Sequence, residues 1–269
     1  MAAPTRIDKL SEPHRAALFA QALPRRTQLP NRLDPLDCTL CAAALQRAFL
    51  TCRRKQPGGN GSAGPVHRQV EVGSLQITII EAAGDYATRL WHSAVQLAAW
   101  LLTHSDSFAH TAVLEVGAGT GLCSLTLAAT SSARRVIASD ISAAGLELLG
   151  QAARAQGVSC ELCVFDVCSD ANLPEADWLV ASDVLYTPLL AEALARRCIE
   201  IVRRGGRAVV ADPGRPSRRL FQSMLEREGL AASFMPLPTT APERRALVLL
   251  HIDGEHAVSN FVAHAELEG

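Results

Sequence analysis

Apolar positions along the middle of the chain alternate between two spacings, which predicts alternating strands and helices. Val113–Val116 has the character of a short buried strand that ends abruptly in glycines, and from Leu122 onward the apolar residues return at helical spacing. The alternation continues to about residue 252, with strands predicted at Arg135–Ala138, Cys160–Phe165, Trp178–Ala181, Arg207–Ala211, Ser233–Met235 and Ala246–Ile252, and helices at Ile141–Gln156, Pro188–Val202 and Pro216–Glu228. This order predicts an α/β fold with a doubly wound, mostly parallel sheet.

Two shorter patterns precede this region. Val66–Val72 and Leu75–Ile80 flank Gly73-Ser74, which predicts a β-hairpin, and an amphipathic helix begins near Trp91. Further upstream, prolines separate two predicted helices near residues 8–22 and 36–52, and a Gly/Pro-rich linker follows them. We therefore expect a helical extension and linker over residues 1–65, a main domain over 66–254 and a tail over 255–269.

Composition narrows the classes of function. The chain has 269 residues, of which 48% are hydrophobic, so it can bury an ample core. A net charge of −1 and an aromatic content of 4% give no bulk attraction to nucleic acid or anionic lipid and few platforms for base stacking. No apolar run is long enough for a transmembrane helix. We expect no nucleic-acid or membrane partner.

The eight cysteines point to a reducing compartment. Cys123, Cys163 and Cys198 sit inside apolar runs, where cysteine behaves as a small buried hydrophobe. A cytoplasmic location is therefore predicted, although arginines near the N-terminus leave organelle import open.

A zinc hypothesis arises from Cys38 and Cys41, with Cys52 and His67 further along the chain. On a helix Cys38 and Cys41 would share a face, but no second close pair of ligands completes a recognisable site. Buried helix cysteines are the favoured interpretation, and no metal is predicted.

Polar or glycine residues fall at the ends of several predicted strands. In a doubly wound sheet, ligands bind outside the carboxyl ends of the strands, where these ends share one edge. The residues in question are Gly117, Asp140, Asp166, Asp183 and Asp212. We expect them to converge on one rim.

The glycine loop at this rim fits a cofactor that contains adenosine. Asp140 follows Gly121 by 19 residues and is placed to accept hydrogen bonds from both ribose hydroxyls. A phosphate cradle for ATP needs a lysine in the loop, which this chain lacks, and a dinucleotide loop needs a third glycine where Leu122 stands. The Gly-x-Gly-x-Gly spacing favours S-adenosylmethionine, which has no phosphates.

The motif Glu115–Gly121, together with Asp140 and the Asp-x-x-Tyr sequence of Asp183–Tyr186, resembles the class I S-adenosylmethionine-dependent methyltransferases. Trp91 and the Asp-x-x-Tyr motif narrow the resemblance to the branch that contains many protein-lysine methyltransferases. Asp212–Arg215 is similar to a motif in members that act on the electron-transfer flavoprotein. The resemblance covers residues 66–252 and implies a Rossmann-like, seven-stranded sheet with helices on both faces. The hairpin and the helical extension predicted from the sequence pattern precede this sheet, and residues 1–65 lie outside the resemblance.

The resemblance also implies which residues hold the cofactor. Trp91 would pack beside it, the glycine loop would meet its methionine part, Asp140 its ribose and Asp166 its adenine, and Ser182 would line the methyl-transfer pocket. The complete set of implied cofactor-binding residues is Trp91, Gly117, Ala118, Gly119, Asp140, Asp166, Val167 and Ser182.

Two residues are candidates for catalysis. We hypothesise that Asp183 orients the substrate ammonium and that Tyr186 shapes a narrow channel; the alternative is that Asp183 contacts backbone and Tyr186 only packs. Arg215 could bind an acidic substrate segment or brace its loop. The function expected is methyl transfer to a lysine of a partner protein by a monomeric enzyme. The alternatives are a small-molecule N- or O-methyltransferase and a non-catalytic S-adenosylmethionine-binding module.

Overall fold

The computed structural model describes residues 64–230, 232–237 and 247–252. Two strands, β1 (Val66–Val72) and β2 (Leu75–Glu81), pair antiparallel, with Val72 opposite Leu75 across the turn. The central strands are β3 (Ala112–Val116), β4 (Arg135–Asp140), β5 (Glu161–Val164), β6 (Trp178–Ser182) and β7 (Arg207–Asp212). These five strands are parallel and lie in the order β5-β4-β3-β6-β7.

The direction of winding changes between β3 and β6, which places the switch point of the sheet beside the loops that follow these two strands. Beyond β7, the backbone of β9 (Leu247–Ile252) pairs antiparallel with β7, and β8 (Ala232–Leu237) pairs antiparallel with β9. The doubly wound α/β class predicted from the spacing is confirmed in the five parallel strands.

Helices cover both faces of the sheet and divide the core in two. The helices are α1 (His92–Thr103), α2 (Leu122–Thr130), α3 (Ala143–Gln156), α4 (Pro188–Arg203) and α5 (Arg218–Arg227). The hairpin and α1 to α3 pack on one face, and α4 and α5 pack on the other. Alternate residues of β3 feed the two cores, with Val113 in the first and Leu114 in the second, because successive side chains of a strand point to opposite faces.

Several predicted boundaries differ from the structure by one or two residues, and three of these differences have a clear local reason. The helix α3 begins at Ala143 and not at Ile141, because the Ser142 hydroxyl accepts a hydrogen bond from Gly145 N (3.1 Å) and caps it. The helix α5 begins at Arg218, not at Pro216, because the preceding residues form a turn around the Asp212 carboxylate. The strand β5 is shorter than predicted because it is the exposed edge of the sheet.

The edge position of β5 also leaves Cys163 half-buried and not buried as expected, whereas Cys123 and Cys198 are fully buried. All five cysteines in the described part of the chain are free thiols. Among these residues no helix is long and apolar enough to cross a membrane, and no group of three or more His, Cys, Asp or Glu could hold a metal. The two predicted N-terminal helices, the tail over 255–269 and the three cysteines of the zinc hypothesis lie outside the described residues.

Candidate active site

A tight glycine turn connects β3 to α2. Gly117, Gly119 and Gly121 all have positive φ (68°, 54° and 75°), a conformation that glycine adopts without steric cost. Side chains would also collide here: a Cβ on Gly117 would lie 3.0 Å from Val184 Cγ2, and one on Gly119 would lie 3.2 Å from the Ala87 carbonyl oxygen. The loop therefore presents bare backbone at the switch point of the sheet.

Asp140, at the end of β4, fixes this turn. Its side chain is 7% exposed, and its two carboxylate oxygens accept hydrogen bonds from Gly119 N and from Ser142 N, each at 2.9 Å. The carboxylate thus bridges the glycine loop and the first turn of α3. The sequence-based expectation that Gly119 and Asp140 lie together is confirmed by this contact.

A segment that we call the strap, residues 82–91, lies over the glycine turn. Its Asp85 carboxylate accepts hydrogen bonds from Ala87 N (3.0 Å) and from the Ser142 hydroxyl (2.6 Å). These two hydrogen bonds lower the pKa of Asp85 below its usual value, and the hydrogen bond from Ser142 has the larger effect. The strap is therefore tied to the same turn of α3 that Asp140 contacts, and a second carboxylate joins the site.

Trp91 closes the strap and occupies the position before α1. Its indole nitrogen donates to the Tyr86 carbonyl oxygen (3.2 Å), and the two rings stack with centroids 6.2 Å apart. Trp91 is 38% exposed and Tyr86 is 76% exposed. An apolar aromatic pair is thus available at the rim beside the glycine turn.

Glu115 is buried beneath the turn. Its carboxylate accepts hydrogen bonds from the amide and the hydroxyl of Ser124, and it also lies against the thiol of Cys123. Burial raises the pKa of Glu115 to about 7, although the Ser124 and Cys123 hydrogen bonds oppose the shift. Ser182, at the end of β6, is half-buried, and its side chain contacts the same thiol.

The loop after β5 is clamped from behind by α4. Arg197 lies over the Phe165 ring, 5.3 Å from its centroid, and donates to the carbonyl oxygens of Ser169 and Ala171, the latter at 2.9 Å. The Asp166 carboxylate accepts the Cys168 amide at 2.8 Å. The Cys168 thiol also lies within hydrogen-bonding reach of this carboxylate.

Val167 lies in the same loop, and its side chain is buried in the core on the α4 face. Only its backbone is therefore available at the rim. The family resemblance implies that this backbone meets the adenine of the cofactor, and that role stays a prediction.

Asp183 and Arg215 form an ion pair across two strand ends. The guanidinium donates through Nε to Asp183 Oδ1 at 2.7 Å, and its Nη2 lies at 2.7 Å from the same oxygen. Asp183 has a φ of +57°, which is uncommon for a residue with a side chain. This geometry does not test the prediction that Asp183 orients a substrate ammonium. The alternative, in which Asp183 contacts only backbone, does not account for the guanidinium that pairs with it.

Tyr186 is 59% exposed at the same rim. Partial burial of its hydroxyl raises its pKa, and the negative charges of Asp140, Cys168 and Asp183 add to the effect. The hydroxyl is therefore neutral at physiological pH and lies within electrostatic range of three strand-end loops. Its role as a channel wall stays a prediction.

The strand ends thus bring together most of the residues singled out from the sequence. The glycine turn directly contacts Asp140 and Val184, which is the neighbour of Asp183. Trp91 is connected to the turn through the strap, and Asp166 lies in the neighbouring loop. Sequence reasoning missed Asp85, Ser142 and Arg197. Ser142 carried a usable signal, since a serine just before a helical pattern is a common cap, whereas Asp85 and Arg197 act on partners distant in sequence.

A family model described as lysine methyltransferase matches residues 72–226. The chain belongs to this family. A mouse protein, protein-lysine methyltransferase METTL21E, is 34% identical over 137 residues, which cover 44% of this chain and 53% of that protein. The chain therefore spans about half the length of the curated relative that it matches.

Solved structures agree on the fold. The ribosomal protein L11 methylase of Lactobacillus delbrueckii subsp. bulgaricus superposes with a TM-score of 0.51 at 17% identity, over 62% of this chain and 81% of that one. SMU.776, described as a methyltransferase and solved in complex with SAH, gives a TM-score of 0.56 at 16% identity, over 72% of this chain and 57% of that one. At such identities the likeness shows the methyltransferase-type α/β fold alone.

Proposed function

We propose that this protein is an S-adenosylmethionine-dependent methyltransferase that modifies a lysine side chain of another protein. The observation that carries the proposal is the Asp140 carboxylate, which bridges Gly119 N and Ser142 N beside a turn of three left-handed glycines. Membership of the lysine methyltransferase family and the name of the mouse relative support the reaction and the kind of substrate.

The residues at the turn fit S-adenosylmethionine by shape and by charge. The backbone of Gly117 and Gly119 is bare, because a Cβ at either residue would meet Val184 or the Ala87 carbonyl oxygen, so a ligand can lie against the backbone at the rim. Asp85 and Asp140 put two carboxylates beside this bare backbone. Carboxylates attract the sulfonium and amino groups of this cofactor and would repel a pyrophosphate.

Individual residues then take separate parts of the cofactor. Asp140 would hold the ribose hydroxyls, Trp91 would pack beside the cofactor, and Asp166 with the Val167 backbone would meet the adenine. Gly117, Ala118 and Gly119 would face the methionine part, and Ser182 the pocket for transfer. When bound, S-adenosylmethionine supplies a methyl group with a good leaving group attached, so the task of the protein is mainly alignment.

The substrate side of the site lies after β6 and β7. A lysine must carry a lone pair to be methylated, although its free pKa is about 10.4. We propose that Asp183 orients the amine and that Tyr186, neutral and half-exposed, forms one wall of the channel that leads to it. The charge and position of these two groups at one rim support the assignment.

Cofactor binding can be tested by titration calorimetry with S-adenosylhomocysteine, with NADH as the competing ligand class. We expect S-adenosylhomocysteine to bind and the Asp140→Asn variant to lose affinity at least tenfold, about 1.4 kcal/mol, because one acceptor oxygen becomes a donor. Asp170→Asn is the matched control, since Asp170 is exposed in the neighbouring loop. Selective NADH binding would overturn the proposal.

The substrate class can be tested by incubating cell extract with cofactor that carries a labelled methyl group. A discrete labelled protein with the label on lysine supports the proposal. Label confined to small molecules would indicate a small-molecule methyltransferase, and no label despite S-adenosylhomocysteine binding would indicate a non-catalytic module. Asp183→Asn should slow labelling markedly without abolishing it, while S-adenosylhomocysteine still binds.

The remaining architecture and the location complete the proposal. We infer that β8 and β9 complete a seven-stranded sheet, with the hairpin and a helical extension before it; the antiparallel pairing of β9 with β7 supports this. We also propose that the protein is cytoplasmic, which the five free cysteines of the described residues support, and that it is monomeric. Subcellular fractionation and light scattering would test these two points.

A further inference from the structure

We propose that Arg215 is a positioning residue of the methyl-transfer site, which holds Asp183 in place and balances its charge so that the site accepts the substrate lysine as a neutral amine. The inference rests on the proposed function and adds to it the residue that governs the protonation state of the nucleophile. Three features of the ion pair carry it: its one-sided geometry, its rigid support and the charges around it.

The ion pair uses only one side of the Asp183 carboxylate. Arg215 Nε and Nη2 both lie at 2.7 Å from Oδ1. No hydrogen bond from the part of the chain that the structure describes reaches Oδ2, and the Asp183 side chain is only 7% exposed. One oxygen is therefore held by the guanidinium, and the other remains to accept a hydrogen bond from a substrate amine.

Hydrogen bonds hold the backbone of both partners of the ion pair in place. Asp183 N donates to the Ala211 carbonyl oxygen at 2.9 Å, which ties the left-handed residue to β7. The Asp212 carboxylate, which is fully buried, accepts Gly214 N at 2.8 Å and Arg215 N at 3.1 Å. Strain at a residue such as Asp183 persists only where the surroundings enforce it, and here two strand ends do so.

The charges of the ion pair and of the residues that support it cancel, and Asp140 adds one further carboxylate at the same rim. Asp183 and Asp212 face Arg215 and Arg218, whose Nη1 lies 3.5 Å from Asp212 Oδ2, and Tyr186 contributes a neutral hydroxyl from the loop after β6. Removal of Arg215 would leave two carboxylates against one guanidinium. An uncompensated carboxylate favours the protonated form of a nearby amine and commonly raises its pKa by about 1–3 units.

A neutral amine is the reactive form of lysine, so this balance matters for the reaction. If Arg215 only braced its loop, its loss would lower the rate equally at every pH. If it sets the charge that the bound amine experiences, its loss would move the pH at which the bound amine loses its proton. The pH dependence of kcat at saturating substrate separates the two, because it reports ionisation in the bound complex.

The experiment uses the full chain and the protein substrate identified by labelling, with kcat measured between pH 6 and 10. We expect Arg215→Gln to move the acid-side midpoint up by about one pH unit. We expect Arg215→Lys, which keeps the charge, to leave the midpoint within about 0.3 unit of the wild-type value. Arg219→Gln is the matched control, since Arg219 is exposed on the same helix as Arg218 and should change nothing.

Asp183→Asn gives an independent check of the sign. With the carboxylate neutralised, the guanidinium is uncompensated and the midpoint should move down, and the double variant Asp183→Asn/Arg215→Gln should return toward the wild-type value. Thermal melting and S-adenosylhomocysteine affinity should stay near wild type in each variant, which shows that the fold and the cofactor site are intact.

Two results would overturn the inference: an unchanged midpoint in Arg215→Gln, or loss of activity in both Arg215→Gln and Arg215→Lys with the fold intact. Either would make Arg215 a brace alone. Failure of the proposed function looks different, because the wild-type protein would then label no protein in the extract.

Discussion

Gly121 offers the sharpest test of the packing beneath the glycine turn. Alanine here would meet two separate penalties. Its φ of +75° is left-handed, which costs a residue with a side chain about 1–2 kcal/mol. The new Cβ would also lie 2.3 Å from both Cγ and Cδ1 of Leu149, which is 1% exposed on α3. Overpacking of this kind costs a further 1–3 kcal/mol, roughly.

The two penalties can be measured apart. Gly229 has nearly the same φ, +72°, but a Cβ there would meet nothing within 4 Å, so Gly229→Ala reports the backbone penalty alone. Urea unfolding should therefore show Gly121→Ala to be about 2–5 kcal/mol less stable than wild type and Gly229→Ala about 1–2 kcal/mol less stable.

A double-mutant cycle with Leu149→Ala then isolates the collision. Leu149→Ala alone should cost about 2–5 kcal/mol because it leaves a cavity. In the double variant the alanine methyl group occupies part of that cavity, so the combined loss should be smaller than the sum by about 1–3 kcal/mol. Strict additivity, or equal losses for Gly121→Ala and Gly229→Ala, would refute the contact between the turn and α3.

Three further predictions concern the groups around the turn. Folding raises the pKa of Glu115 from 4.5 to about 7. The contribution of this group to the free energy of unfolding is therefore fully present below pH 4.5 and is lost as the pH rises through 7. Urea unfolding should thus show the wild type losing about 3 kcal/mol relative to Glu115→Gln across this window, and a constant difference would contradict the burial. Asp85→Ala and Ser142→Ala should each weaken S-adenosylhomocysteine binding several-fold in calorimetry, about 1 kcal/mol. The double variant should bind no more weakly than either single variant. Additive losses would show that the hydrogen bond between these two residues does not hold the strap. Arg197→Met keeps the apolar stem but loses the hydrogen bonds to the loop after β5, so the free energy of unfolding should fall by about 2–4 kcal/mol. A fall below about 1 kcal/mol would mean that the loop keeps its conformation without these hydrogen bonds.

The order of elements was predictable because buried strands and amphipathic helices leave different periods in the sequence. The β3 strand and its glycine turn were located to within a residue, since three glycines with positive φ are a local requirement. Boundaries such as Ala143 and Arg218 were missed because a side-chain cap at Ser142 and a turn around Asp212 decide them. These are contacts between a few atoms that a periodic pattern does not record.

The residues of the candidate site also fall into those that were predictable from the sequence and those that were not. Asp140 was predictable because its distance from the turn is fixed by one helix and one strand. Asp85 was not, since its partner Ser142 is 57 residues further along the chain. The Asp183–Arg215 ion pair was likewise hidden, because only the adjacency of β6 and β7 brings these residues together.

The division of the core into two has a consequence for how the candidate site can change in evolution. Glu115, Asp85 and Asp140 are supported by the α1 to α3 face, whereas the Asp183–Arg215 ion pair stands beside the α4 and α5 face, on which Phe221 is packed. Substitutions in one layer are largely insulated from the other by the sheet between them. Substitutions on the α4 and α5 face can therefore change the surroundings of Asp183 and Arg215 while the hydrogen bonds of Asp85 and Asp140 stay intact.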